Sequence, residues 1–217
     1  MGIQEIASSF DYDILLTVCN NADVTKLERI VRNRKVDGVI LLRSFVEDVQ
    51  VEYLREKNIP FVVTGSSNYK GVVQVDNDHH AACKELTSIL LMKRMKKIAL
   101  IGGNEEHVVT QSRLKGFKDA FRDNGLPVDE SLIYMNLDNP VLLDGKLDDI
   151  IKRDVDCIVC MDDAICMEVL SKLRREGIVV PDQIRVASFY NSSMLETHDP
   201  SITSLDFDAK ELGMLVC

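Results

Sequence analysis

Short apolar runs alternate with longer segments of helical periodicity along the first third of the chain. Between residues 24 and 34, for example, Val24, Leu27, Ile30 and Val31 share one helical face. The pattern predicts these elements in order: a strand over 14–18, a helix over 24–34, a strand over 38–42, a helix over 46–57, a strand over 61–63 and a short extended piece over 72–75.

The same alternation continues to residue 188. It predicts helices over 78–91, 109–124, 143–152 and 164–176, and strands over 97–101, 133–135, 157–160 and 185–188. Apolar strands separated by helices are typical of parallel sheets that are covered on both faces. Because the strands are too many for one sheet of this size, we predict a doubly wound α/β fold in two subdomains. The first comprises residues 1–75 with a return at 206–217, and the second comprises residues 76–205.

The overall charge argues against nucleic-acid binding by this chain alone. The 217 residues carry a formal net charge of −9, whereas a surface that neutralises phosphates is usually basic. An acidic balance is what we expect of a domain that signals to a DNA-binding module located elsewhere. No stretch approaches the ~20 apolar residues that span a bilayer, so we expect no membrane association.

The six cysteines lie mostly in apolar runs such as Cys157-Ile158-Val159-Cys160. In a disulfide-stabilised protein they would instead punctuate loops, so we predict reduced thiols and a cytoplasmic protein. Cys157 and Cys160 have the spacing of half a zinc or redox site. Residues three apart point to opposite faces of a strand, and no second pair at ligand spacing is present. We therefore predict a buried strand and no metal.

Ligands in open α/β sheets bind beyond the carboxyl ends of the strands. Polar or glycine-containing segments occupy those positions here: 43–44, 64–66, 102–104, 161–163 and 189–191. Gly102-Gly103 lacks the remaining residues of a dinucleotide-binding motif or a P-loop. We therefore predict no nucleotide cofactor.

The Asp162-Asp163 pair follows a predicted strand. Paired carboxylates can hold magnesium or accept hydrogen bonds from sugar hydroxyls. Asp163 is a candidate cap for the helix that follows, which would leave Asp162 to face a ligand. Metal-dependent chemistry in a small α/β enzyme is one hypothesis. However, His79, His80 and His107, which we expect at the surface, assemble no nucleophile, base and orienting group. We predict no enzymatic activity.

These pieces, in this order, resemble the lactose/galactose repressor family over essentially the whole chain. The motifs that carry the resemblance are Val36-Asp37-Gly38-Val39-Ile40-Leu41, Ile59-Pro60-Phe61-Val62-Val63, Val75-Asp76-Asn77-Asp78, Ile98-Ala99-Leu100-Ile101-Gly102-Gly103, Arg113-Leu114-Lys115-Gly116-Phe117 and Pro200-Ser201-Ile202-Thr203-Ser204-Leu205. The resemblance implies two Rossmann-like subdomains around a ligand cleft, as in type I periplasmic binding proteins. It also implies a homodimer, operator DNA bound through a headpiece absent from this chain, and a small effector that shifts operator affinity.

The resemblance also supplies candidate ligand contacts. The predicted ligand-binding residues are Arg113, Asp162, Tyr190, Asn191, Ser44 and Phe207. Arg113 matches the family's effector-contacting arginine, whose fork of donors suits vicinal hydroxyls. Tyr190 replaces a common sugar-binding aspartate, and Phe207 stands where polar residues often occur. These changes favour a larger stacked sugar or another metabolite over a simple monosaccharide.

The residues and the resemblance together favour the effector-sensing domain of a bacterial transcriptional repressor that binds a sugar or sugar derivative. The alternative is a solute-binding protein of a transport system, which has the same fold. That alternative requires export, and six cysteines with no evident disulfide pattern argue against it.

Overall fold

The structure is a computed structural model that describes residues 2–19 and 23–217. Contacts within the chain divide it into two compact units. The first contains the described residues up to Asn77, together with 106–109 and 208–217. The second contains residues 78–105 and 110–207. The sequence places these boundaries two residues earlier, and nothing in it indicates that 106–109 join the first unit.

Residues 106–109 join the first unit through the segment that follows its first strand. The backbone N–H of Val46 donates to the carbonyl oxygen of Glu106 at 2.8 Å. The rings of Phe45 and His107 meet edge to face, with their centroids 4.9 Å apart. His107 is therefore part of a packed contact rather than a solvated side chain.

The first unit contains a sheet of three parallel strands in chain order. Its strands are β1 (Val39–Leu41), β2 (Phe61–Thr64) and β3 (Gln74–Val75), and its helices are α1 (Gly2–Ser9), α2 (Thr25–Arg32), α3 (Val49–Glu56) and α9 (Ala209–Val216). Its main cluster of buried apolar side chains is small: Leu27, Leu41, Val51, Leu54 and Val63. The α3 helix begins after Asp48, whose carboxylate caps it by accepting from the backbone N–H groups of Gln50 and Val51.

The strand predicted over residues 14–18 is wrong. Residues 12–19 form neither a strand nor a helix, and most of the apolar side chains in this stretch are exposed. Alternating apolar residues favour an extended backbone, but a strand also needs a hydrogen-bonded neighbour. Among the described residues, β1 pairs with β2 alone, so no such neighbour reaches the segment.

The second unit contains a sheet of five parallel strands in the order β5-β4-β6-β7-β8. The strands are β4 (Ile98–Ile101), β5 (Ile133–Tyr134), β6 (Cys157–Cys160), β7 (Arg185–Ser188) and β8 (Thr203–Ser204). The helices are α4 (His79–Met92), α5 (Val108–Asp123, from Thr110 onward in this unit), α6 (Pro140–Lys152), α7 (Asp163–Arg175) and the short α8 (Ser193–Glu196). The predicted α/β fold with parallel sheets is confirmed, whereas α8 and β8 were not predicted.

The two faces of the central strand β6 belong to different cores. Cys157 and Val159 pack in one apolar cluster, and Ile158 and Cys160 pack in the other. The prediction that the two cysteines point to opposite faces of a buried strand is therefore confirmed. None of the helices in residues 2–19 and 23–217 is long and apolar enough to cross a bilayer.

Candidate functional site

Arg113 of α5 lies inside the second unit rather than on its surface. The residue is 9% exposed. Its Nη1 donates to the carbonyl oxygen of Met161, the first residue after β6. An arginine on a helix is usually solvated, and this one is buried because the carboxyl end of the sheet offers it a carbonyl acceptor. The burial fixes the guanidinium at the strand ends, where ligands bind in such sheets.

Three aromatic side chains form a series of contacts that begins at Arg113. The guanidinium carbon lies 5.9 Å from the centroid of the Tyr190 ring. The rings of Tyr190 and Phe207 are stacked, with centroids 6.3 Å apart and planes inclined by 27°. Phe207 in turn receives the ring of His79 edge to face at 4.8 Å. The structure thus brings together three of the residues predicted for the site, namely Arg113, Tyr190 and Phe207.

His79 is the residue of this group that the sequence missed. We expected it at the surface, and that expectation is wrong, because the residue is 8% exposed and packs on Phe207. The helix α4 begins at this histidine and is capped by the Asp78 carboxylate, which accepts from the backbone N–H of Ala81. The cap fixes the first turn and so places the imidazole against the aromatic rings.

Asp162 has the helix-capping role that we predicted for Asp163. Its carboxylate accepts from the backbone N–H of Ile165 at 2.8 Å, so Asp162 is the cap of α7 and Asp163 is the first helical residue. The prediction that Asp163 caps the helix is wrong. The cap lies one residue earlier because the chain stays extended through Asp162, whose Oδ1 then reaches the third helical N–H.

Asn191 connects two parts of the second unit. Its Oδ1 accepts from the hydroxyl of Ser204 at 2.9 Å, and its Nδ2 donates to Glu196 Oε1 at 2.8 Å. These two bonds join the end of β8 to the helix α8. Asn191 is half-buried at the strand ends, and its amide holds the loop that carries Tyr190.

Ser44 belongs to the first unit, where it follows β1. It is 5% exposed, and its carbonyl oxygen accepts from the backbone N–H of Val108 at 3.3 Å. A Cβ atom at Gly65, which follows β2 with φ +112°, would lie 3.4 Å from the Ser44 hydroxyl oxygen. The hydroxyl oxygen of Thr64 is buried and has no hydrogen-bond partner among the described residues. Ser44 and Thr64 thus place hydroxyl groups near the carboxyl ends of β1 and β2.

The positive charge of Arg113 acts on a neighbouring thiol of the second unit. Burial raises the pKa of the nearby Cys83 thiol to about 12, and the positive charge of Arg113 opposes that shift. Cys83 thus stays protonated at neutral pH and packs as an apolar side chain. Within residues 2–19 and 23–217, no three histidine, cysteine or carboxylate side chains are grouped so that they could hold a metal.

Gly102, the first glycine after β4, has a packing role. A Cβ atom at Gly102 would lie 2.7 Å from the sulfur of Met161 and 2.9 Å from that of Met135. Gly102 therefore allows the two methionines to approach the end of β4.

The fold consists of α/β units with parallel sheets, and a buried arginine and aromatic rings lie at the strand ends. These features indicate a class of binding domain and do not identify an individual protein. A protein-family model described as the periplasmic binding protein-like domain matches residues 87–217. That match covers more than half of the chain, and the chain belongs to this family.

Named relatives narrow the class further. Catabolite control protein A of Staphylococcus xylosus is 26% identical over 218 residues, which cover 98% of this chain and 65% of the relative. This chain thus spans less than two thirds of that relative's length. The solved structure of a transcriptional regulator LacI from Bacillus cereus subsp. cytotoxis NVH 391-98 has a TM-score of 0.91 at 27% identity, covering 99% of this chain and 78% of that one.

A further solved structure contains a bound ligand. The transcriptional regulator CelR in complex with cellobiose is 25% identical, with a TM-score of 0.87, and the match covers 99% of this chain and 68% of that chain. The relatives of this chain are thus transcriptional regulators, and the resemblance to the lactose/galactose repressor family is confirmed.

Proposed function

We propose that this chain is the effector-sensing part of a bacterial transcriptional repressor, and that its effector is a sugar or sugar derivative. The observation that carries the proposal is Arg113, a cation buried at the strand ends beside Tyr190, whose ring stacks on Phe207. The relatives support the regulatory role, and the CelR complex with cellobiose supports a sugar ligand. Because these relatives are regulators, we propose binding rather than catalysis.

The chemistry of Arg113 and the neighbouring aromatic side chains suits a ligand whose ring carries hydroxyls. A guanidinium presents a rigid fork of N–H donors, which can bind two neighbouring oxygens at once. An aromatic face packs against the apolar face of a sugar ring, while polar groups at its edge fix the orientation. Tyr190 provides such a face at 5.9 Å from the guanidinium. Asp162 and Asn191 then act at the margin of the site. Their side-chain oxygens can accept hydrogen bonds from the ligand with the lone pairs that their structural hydrogen bonds do not use.

The partners of the whole protein are also part of the proposal. The chain carries a net charge of −9, so operator DNA would be bound by a separate basic headpiece of the same protein. We propose that the protein is a homodimer. The effector would bind one conformation more tightly than the other, and operator affinity would shift by that difference.

The experiment is a thermal-shift screen of the purified chain against glucose, maltose, cellobiose and their phosphates. A ligand that binds only the native state at 100 times its Kd stabilises it by about 2.7 kcal/mol. For a unit of this size, that corresponds to a rise in Tm of roughly 5–10 °C. We expect at least one sugar to give such a shift.

Two substitutions locate the binding site. Arg113→Ala and Tyr190→Ala should abolish the shift. The control is Arg122→Ala, which removes an arginine from the same helix, where its side chain is 70% exposed. If every sugar leaves the Tm unchanged, or if the shift survives in both site variants, the proposed sugar site is refuted.

A further inference from the structure

The turn that joins α4 to β4 in the second unit carries a dense group of positive charges. Lys93, Arg94, Lys96 and Lys97 lie within five consecutive residues, and all four are exposed. Met95 between them is 6% exposed and packs in an apolar cluster of the same unit. The buried methionine anchors the turn, so the cationic side chains on either side of it remain at the surface.

Two exposed arginines lie beside this turn. The Nζ of Lys97 donates to the carbonyl oxygen of Arg153, which follows α6. The Asp156 carboxylate accepts from the backbone N–H groups of Lys96 and Lys97 at 2.8 Å each. The carbonyl oxygen of Asp156 accepts from the backbone N–H of Arg185, the first residue of β7, at 3.2 Å. The cations at the amino ends of β4, β6 and β7 thus form one basic patch: Lys93, Arg94, Lys96, Lys97, Arg153 and Arg185.

The cations of the basic patch lack ion-pair partners within the chain. In residues 2–19 and 23–217, no ion pair includes any of the six. Other lysines of the second unit do have such partners. Lys84, Lys118 and Lys172 contact carboxylates at 2.5, 2.8 and 2.7 Å. The charges of the basic patch are therefore available to a partner from outside the chain.

Three carboxylates lie beside the basic patch and reduce its charge only in part. Asp156 accepts hydrogen bonds from the turn itself. Asp129 accepts from the N–H and the hydroxyl of Ser131, and that hydroxyl also accepts from Arg153 at 2.8 Å. Asp154 is exposed and directly follows Arg153. Six cations and three carboxylates leave an excess of positive charge on a chain whose net charge is −9.

An exposed apolar surface adjoins the basic patch. Met92, the last residue of α4, is 69% exposed, and Ile89 is 37% exposed. Residues three apart are neighbours on a helix surface, so these two side chains form an apolar strip that leads to Lys93. Methionine adapts its shape to different apolar partners, and both methionine and arginine are enriched in protein interfaces.

This combination favours an acidic protein segment over nucleic acid. A nucleic-acid backbone presents phosphates in an unbroken row, which the carboxylates of Asp129 and Asp154 would repel. None of the six side chains of the basic patch is aromatic, so they offer no ring on which a base could stack. A protein segment carries its carboxylates at separate positions and can place an apolar side chain between them.

We propose that the basic patch and the apolar strip form a docking surface for an acidic segment of another protein, with an apolar side chain of that segment packed on Met92. The surface lies at the amino ends of the strands, whereas Arg113 contacts Met161 at the carboxyl end of β6. Docking is therefore independent of the proposed sugar site. Attraction between opposite charges accelerates the encounter and weakens as salt is added.

The test measures the binding of labelled probes to the purified chain by fluorescence anisotropy. The first probe is a synthetic peptide of aspartate, glutamate and glycine, with leucines spaced between the acidic residues. The second peptide has serine in place of each leucine, and the third probe is a DNA duplex. We expect the leucine peptide to bind more tightly than the other two probes, and we expect its affinity to fall with added salt.

Charge reversal in the turn locates the docking surface. The test variant is Lys93→Glu with Lys96→Glu. The control is Lys70→Glu with Lys115→Glu, which reverses two lysines that are also exposed and take part in no ion pair of the described chain. The dissociation constant of the leucine peptide should rise at least about tenfold in the test variant and less than about twofold in the control. Far-UV circular dichroism of both variants should match that of the unmodified chain.

A separate variant tests the apolar contact. Met92→Ser removes an exposed side chain and should weaken binding of the leucine peptide at least about threefold, while binding of the serine peptide stays unchanged. Failure of the leucine peptide to bind at low salt overturns the proposal, and so does an equal loss of affinity in the charge-reversal variant and its control. A serine peptide that binds as tightly as the leucine peptide refutes the apolar anchor and with it the proposed partner. Tighter binding of the DNA duplex, abolished by Lys93→Glu with Lys96→Glu, would assign the surface to nucleic acid instead.

Discussion

Replacing Gly116 with alanine should destabilise the second unit, although alanine is the better helix former. Gly116 lies in α5, where that helix crosses α4. A Cβ atom at this position would lie 2.4 Å from the carbonyl oxygen of His80 and 3.1 Å from the backbone nitrogen of Lys84. Carbon atoms in favourable contact stay about 3.5–4.0 Å from their neighbours. Because the opposing atoms are backbone, the two helices must separate by roughly 1 Å.

Two effects of opposite sign determine how much Gly116→Ala changes the free energy of unfolding. Glycine to alanine in a helix interior is worth about 1 kcal/mol in favour of the substitution. Overpacking a well-packed contact costs about 1–3 kcal/mol, and the rigid backbone of α4 places this site at the upper end of that range. The net expectation is a loss of about 2 kcal/mol for Gly116→Ala. For a unit of this size, that loss lowers Tm by roughly 4–8 °C.

Gly145 provides the matched control. It lies in α6 of the same unit, and a Cβ atom there would meet no atom within 4 Å. Gly145→Ala should therefore stabilise the unit by about 0.5–1 kcal/mol through helix propensity alone. The assay is urea unfolding of both variants followed by circular dichroism. If Gly116→Ala proves as stable as Gly145→Ala, the close approach of α4 and α5 does not limit the size of residue 116.

Three further predictions concern side chains with a defined structural role. Asp162→Ala should cost about 1 kcal/mol in urea unfolding because it removes the cap of α7, whereas Asp163→Ala should cost clearly less; equal losses would contradict the assignment of the cap. The hydrogen bond from His80, followed by weaker contributions from Arg122, lowers the pKa of Asp119 below its ordinary value of 3.8. Its contribution to stability is thus complete above about pH 4 and is lost as the pH falls through the lowered native value. Asp119→Asn should flatten acid unfolding in that window, and an unchanged acid limb would refute the contribution. Finally, a thiol reagent should label the exposed Cys217 at once and the four buried thiols only on unfolding; fast labelling of a buried thiol would show that the core of the second unit opens readily.

Much of the second unit could be predicted from local pattern. The apolar run Cys157-Ile158-Val159-Cys160 became β6, and the helix predicted over 164–176 became α7 (Asp163–Arg175). Such features depend on neighbouring residues along the chain. They require no knowledge of what lies across the sheet, so the alternation of strands and helices was sufficient to predict them.

The candidate site was only partly predictable. Arg113 was selected by its resemblance to a family motif, since an isolated arginine on a helix gives no sign of burial. His79 gave no signal at all, although it lies against Phe207, which is 128 residues later in the sequence. The distance along the chain between these partners is the reason, because side-chain contacts of this range are created by the fold.

The sequence by itself determined that the chain alternates strands and helices, that its strands are parallel and buried, and that its net charge disfavours nucleic acid. Tertiary structure alone decided which segments find a partner. In the described part of the chain, residues 14–18 have the apolar pattern of a strand but form none, whereas β8, only two residues long, pairs with β7. The physical reason is that periodicity is a property of consecutive residues, whereas a strand exists only where a second backbone lies within hydrogen-bonding distance.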